Sequence, residues 1–175
     1  MALTLDAKQA MVAEVHAVAR EAHSVVAAEY RGLTVTQITG LRAKARESGV
    51  YLRVVKNTLA RRAVAGTQFE CIAGNLKGPL ILAFSTDDPG AAARVVKEFA
   101  KTNDRLVPTL VSLGGQLLPG SDIEKVASLP TRDEALSMLL GVLKAPISKF
   151  VRTLAEPHAK LVRTVAAVKD QKAAA

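Results

Sequence analysis

The sequence predicts an α/β fold: a layered N-terminal domain of mixed sheet and flanking helices, then a long, proline-kinked helical arm. Three observations predict it. Short apolar runs of strand length alternate with amphipathic stretches up to about Pro130. Helix-start signals recur between them. From Thr131 onward strand signals stop and the chain repeats itself with a period of about 11 residues. The expected division is residues 1–130 for the domain and 131–175 for the arm.

The elements follow in order. Asp6 with Gln9 marks a helix start, and apolar residues at Ala10, Val15, Val18 and Ala22 carry the helix to about Glu21. Ser24–Tyr30 reads as a buried strand, and Arg31-Gly32 turns the chain. Thr34 with Gln37 forms a capping box for a helix to Ser48, which Gly49 ends. Val50–Val55 is a strand with Val50, Leu52 and Val54 on one face and Tyr51, Arg53 and Val55 on the other. Lys56-Asn57-Thr58 opens a helix from Leu59 to Val64.

Residues 66–78 are irregular. Pro79–Ser85 is almost wholly apolar, which predicts a central strand covered on both faces. Asp88 caps a helix that begins at Pro89 and runs to about Thr102. Leu106–Leu113 is a strand, Gly114-Gly115 a turn and Gln116–Leu118 a short edge strand. Ser121 with Glu124 and Thr131 with Glu134 are further capping boxes.

The arm carries three units, opening at Ala135, Pro146 and Pro157. Eleven residues make about three helical turns, so each unit returns to nearly the same face. Ile147, Phe150, Val151 and Leu154 form a stripe in the second unit, and Leu161, Val162 and Val165 in the third, with His158 in its first place. Leu136, Leu139, Leu140 and Leu143 hold the same places in the first. Lys149-Phe-Val-Arg-Thr-Leu154 matches Lys160-Leu-Val-Arg-Thr-Val165 closely, whereas the first unit matches only in its apolar positions. Each proline removes a helical hydrogen bond and costs about 3 kcal/mol, so each is expected to kink or restart the helix. A repeated sticky face implies a repeated partner. The alternatives are a helix lying on its own domain and a basic helix at a membrane surface or a calmodulin-like protein. The chain has no Trp to anchor it in a membrane.

Charge separates the ends. Residues 1–66 carry net +5, residues 67–140 net −2 and residues 141–175 net +5. A total of +8 and a pI near 9.9 favour a polyanionic partner, most often nucleic acid. Cys71 is the sole cysteine, so an intrachain disulfide is excluded and a reducing cytoplasm fits. The N-terminus lacks a signal-peptide layout, and no apolar run reaches the ~20 residues of a membrane span.

Catalysis finds no support. His16 and His23 are two turns apart, Cys71 has no arranged histidine, and neither a P-loop nor a dinucleotide glycine pattern occurs. No cofactor or metal is expected, and the chain is not read as an enzyme. The stronger cluster is basic. Arg31 leaves the first strand, Arg53 projects from the second, Lys56 and Asn57 sit at the strand-to-helix junction and Arg61 lies one turn on. A helix N-terminus beside a lysine suits a phosphate, and arginine adds forked hydrogen bonds. Arg42, Lys44 and Arg46 read as ordinary solvated charge.

Tyr30-Arg31-Gly32-Leu33-Thr34, Leu41-Arg42, Gly49 through Leu59, Pro89-Gly90-Ala91, Lys97-Glu98-Phe99 and the repeated arm resemble one family across essentially the whole chain. It is the bacterial stalk-base protein family of the large ribosomal subunit, large-subunit ribosomal protein ten. The resemblance implies binding of large-subunit rRNA near ribosomal protein eleven. It implies contact at Arg31, Gly32, Arg53, Lys56, Asn57 and Arg61, and also at Lys8. It further implies that the arm carries two or three dimers of the acidic stalk protein seven/twelve, which recruit translational GTPases. The first unit, lacking the Arg-Thr pair, either docks a dimer more weakly or packs on the domain. The alternative function is repression of the protein's own messenger RNA off the ribosome.

Overall fold

The structure is a computed structural model that describes residues 4–103 and 105–174, the side chain of residue 174 excepted. It divides into two units, 1–131 and 132–175.

The first unit is a five-stranded sheet between two layers of helix. Helix α1 (Leu5–Glu21) leads into β1 (Ser24–Glu29), α2 (Val35–Glu47), β2 (Val50–Val54) and α3 (Asn57–Val64). A short 3-10 turn at Glu70–Ile72 precedes β3 (Leu80–Ser85), α4 (Ala91–Thr102), β4 (Val107–Leu113), β5 (Gln116–Pro119) and α5 (Ile123–Ala127). The strand order is β2-β3-β1-β4-β5. All four pairings are antiparallel, which corrects the expected mixed sheet. The reason is visible in β3, whose six residues are all buried. Helices cover both faces of the sheet, so a central strand such as β3 is almost wholly apolar without parallel pairing.

Period-two alternation sorts the core into two. Val26, Ala28, Val50, Ile81, Ala83 and Val111 face α2, α4 and α5 through Leu41, Ala45, Val96, Phe99 and Val126. Val25, Ala27, Leu82 and Phe84 face α1, α3 and the 69–76 segment through Val15, Ala19, Leu59, Ala63, Phe69, Ile72 and Leu76. The irregular segment therefore supplies core: Phe69 is fully buried.

The caps are partly as expected. Thr34 and Gln37 form both hydrogen bonds of the capping box. The cap of α1 is Thr4 rather than Asp6; its hydroxyl accepts from the Ala7 amide, leaving Asp6 in the first turn. Helix α4 starts at Ala91 with Gly90 as its cap, two residues later than expected. Asp88 serves the turn before it, its carboxylate accepting from the Gly90 amide and from Arg94. Asp122 rather than Ser121 takes the N-cap position of α5, without a side-chain capping hydrogen bond.

The second unit is α6 (Arg132–Ala174), 43 residues long. It continues through Pro146 and Pro157, so neither proline restarts the helix. Each ring lacks the N–H that would bond four residues back, at Val142 and Thr153.

Candidate nucleic-acid interface and docking arm

Antiparallel pairing places four chain segments at one end of the sheet. Glu29 pairs with Leu80 and with Val107, and Val54 pairs with Ile81. The exits of β1 and β2 therefore lie beside the entrances of β3 and β4. This brings together Arg31-Gly32, Lys56-Asn57, Lys77-Gly78 and Arg105. Arg31, Lys56, Lys77 and Arg105 are all exposed.

The segments are tied to each other by hydrogen bonds. Arg105 Nη1 donates to the Gly32 carbonyl at 3.0 Å. Asn57 Nδ2 donates to the Gly78 carbonyl at 2.9 Å, and Arg61 Nη2 to the Leu76 carbonyl at 2.9 Å. The Tyr30 amide donates to the Pro79 carbonyl at 3.3 Å. Asn57 at the start of α3 and Arg61 in its last turn thus fasten the helix to the loop before β3, alongside any contact they make outward. Gly32 has φ +85°, and a Cβ there would lie 3.1 Å from Arg105 Nη1. The turn and the guanidinium are fitted to a residue without a side chain.

A cleft of about 340 Å³ lies at this end, lined by Tyr30, residues 54–58 and residues 78–80. Lys56 is the N-cap of α3, and no side chain caps that end. First-turn amides with the helix dipole behind them attract an anionic group, and a lysine at the same point adds full charge. Glu29 stands nearby, its carboxylate 3.3 Å from where a Gly78 Cβ would be, and is the acidic exception in the cluster.

Two expected residues lie elsewhere. Arg53 points to the α1 side, where its guanidinium pairs with Glu14 at 2.7 Å and meets the Tyr51 hydroxyl at 3.3 Å. Tyr51 also donates to Glu14 at 2.7 Å. Burial, and then the hydrogen bond to the Glu14 carboxylate, push the Tyr51 phenol above its ordinary range. Lys8 lines a separate groove of about 390 Å³ between α1 and α3, with Leu5, Val12, His16, Leu59 and Arg62.

Lys77 and Arg105 were not singled out from the sequence. A signal exists: each lies two or three residues before a strand, while Arg31 and Lys56 each lie two residues after one. Antiparallel pairing superimposes those positions, and the expected mixed sheet hid it.

The arm presents its stripe openly. All eleven stripe residues, from Leu136 to Val165, are 48–70% exposed. Met138 and Val142 are exposed too and widen the apolar surface of the first unit. The second and third units match in detail: Thr153 donates to the Phe150 carbonyl at 2.7 Å and Thr164 to the Leu161 carbonyl at 2.9 Å.

The first unit is thus a layered domain with a basic sheet end, and the second a long helix exposing a repeated apolar stripe. Comparison with known proteins supplies the class. The family model described as "Ribosomal protein L10" matches residues 3–101, and that of "Ribosomal protein uL10 C-terminal region" matches residues 129–155. The chain is 65% identical over 174 residues to large ribosomal subunit protein uL10 of Thioalkalivibrio sulfidiphilus, covering 99% of both chains. It is 69% identical over 175 residues to that of Methylococcus capsulatus and 62% identical over 175 to that of Alkalilimnicola ehrlichii, covering 100% of each chain. The chain belongs to the ribosomal protein L10 family. It is accordingly a structural component of the large subunit of the cytoplasmic ribosome, and not an enzyme.

Proposed function

We propose that residues 1–130 bind large-subunit rRNA at the base of the stalk, near ribosomal protein eleven. The arm, residues 131–175, then carries dimers of the acidic stalk protein seven/twelve, through which translational GTPases are recruited. The observation that carries this reading is the set of stripe residues recurring every 11 positions on α6, all exposed. A helix whose repeated apolar face is open has the form of a row of equivalent docking sites. Flanking Lys149, Arg152, Lys160 and Arg163 suit acidic partners. The RNA half is supported by the four exposed cations at the sheet end.

The test is the native mass of the full chain purified with the acidic stalk protein, against a chain ending at Glu156. Three dimers are expected if every unit docks and two if the first does not. Truncation should subtract one dimer. An unchanged mass would remove the repeat as a set of docking sites. Cosedimentation with large subunits at high salt separates the ribosomal role from repression of the messenger RNA off the ribosome.

A further inference from the structure

Among the described residues strand β2 is one edge of the sheet, paired only with β3. Along it runs a cleft of about 410 Å³ lined by all of Val50–Val54 and by Arg42 and Arg46 of α2. Successive strand residues face opposite sides of a sheet. Only at the open edge do both sets line one cleft, so it follows the unpaired backbone of β2.

The other edge is closed by different means. Strand β5 has four residues and ends at Pro119, which has no N–H. It runs directly into a 3-10 turn at Gly120–Asp122. A Cβ at Gly120 would lie 2.0 Å from the Pro108 carbonyl oxygen, so that turn is pressed against β4. Strand β2 contains no proline, and the sheet order places no strand beyond it. Charge alone guards it: Arg42 and Arg46 on the α2 side, Arg53 on the α1 side.

We propose that this cleft takes an extended acidic peptide, which adds to the sheet as a strand along the outer edge of β2. An edge strand offers alternating N–H donors and C=O acceptors, and a peptide backbone answers both. A nucleic-acid backbone offers phosphate acceptors and no N–H donors, and the 2′-hydroxyl that RNA adds does not reproduce a strand's alternation of N–H and C=O. Spacing agrees as well. Arg42 and Arg46 are one helical turn apart, a rise of about 6 Å. Alternate side chains of a strand are about 6.8 Å apart, so two acidic residues on the α2 side reach the two arginines. The same arginines that repel a basic strand select an acidic one. Arg42 and Arg46 stand outside the basic sheet end, although the cleft meets that end at Val54 and includes Arg53.

The test uses the full chain and a fluorescein-labelled nonapeptide alternating Glu with Thr. Binding is read by anisotropy, and amide exchange is followed across Val50–Val54. Wild type is expected to bind the peptide, with slowed exchange in β2. The double variant Arg42→Glu, Arg46→Glu is expected to bind at least about tenfold more weakly. Both residues are exposed, and circular dichroism checks that the variant is folded. Two further peptides are N-methylated on alternate amides, one on each edge of the strand. One set is expected to abolish binding to wild type and the other to preserve it, because only one edge faces β2. Equal behaviour of the two methylated peptides overturns the proposal, as does failure of the parent peptide to bind. So does a uridine nonamer that displaces the peptide and shows the same loss with the double variant, which would make the cleft a phosphate groove.

Discussion

The Arg105 guanidinium donates to the Gly32 carbonyl at 3.0 Å, joining the entrance of β4 to the turn that leaves β1. The bond engages one guanidinium nitrogen, and the side chain stays exposed. Arg105 thus both holds the turn and adds charge to the sheet end. Arg105→Ala is expected to weaken RNA binding and lower its salt slope by about one. Gly32→Ala is expected to cost about 1–2 kcal/mol of stability, since φ +85° and the nearby guanidinium both oppose a side chain. Filter binding across a salt series and urea melts measure these separately. An unchanged slope with Arg105→Ala would take that residue out of the interface.

Lys56 and Arg53 differ in what already holds them. Lys56 makes no ion pair among the described residues, while Arg53 is engaged by Glu14 at 2.7 Å. Lys56→Ala should therefore reduce RNA affinity more than Arg53→Ala, and its salt slope by about one. Neither change should alter the number of stalk dimers on the arm, read by native mass. Loss of both functions together would mean that the two units do not work separately.

Tyr51 gives a pH dependence. Its phenol is raised above the ordinary value of 10.0, first by burial and then by its hydrogen bond to Glu14. A raised pKa means that the folded state holds the proton more tightly than the unfolded chain. The associated stability is complete below about pH 10 and is lost as pH rises through the folded value. Ultraviolet titration of the folded protein should show Tyr51 ionising late. Glu14→Gln should bring it down part of the way, because the burial cause remains. A titration unmoved by Glu14→Gln would contradict the Tyr51–Glu14 contact.

Much of the domain was legible because its signals are local. The Thr34–Gln37 box needs only a spacing of three, and the four longer strands lie within a residue or two of the expected spans. The errors occurred where distant segments decide. Thr4 displaced Asp6 because the helix starts two residues earlier than its acidic signal indicates. The antiparallel order of the sheet has no local signature, and Lys77 and Arg105 become neighbours of Lys56 and Arg31 only through it. Arg53 read as one of a basic cluster because nothing local announces a partner 39 residues away at Glu14. The arm was the easiest part to read, since a repeat is visible without folding anything.

The arm's period also fixes how close its occupants stand. Eleven residues advance a helix by about 16 Å and turn it about 20° beyond three full turns. Occupants of successive units would stand in a file along one side, each a small rotation from the last. Any that carry tethered domains on flexible linkers would hold those domains at millimolar effective concentration around the same point. A passing ligand that let go of one copy would then be recaptured by the next before diffusing away. The repeat would thereby convert weak single encounters into long residence.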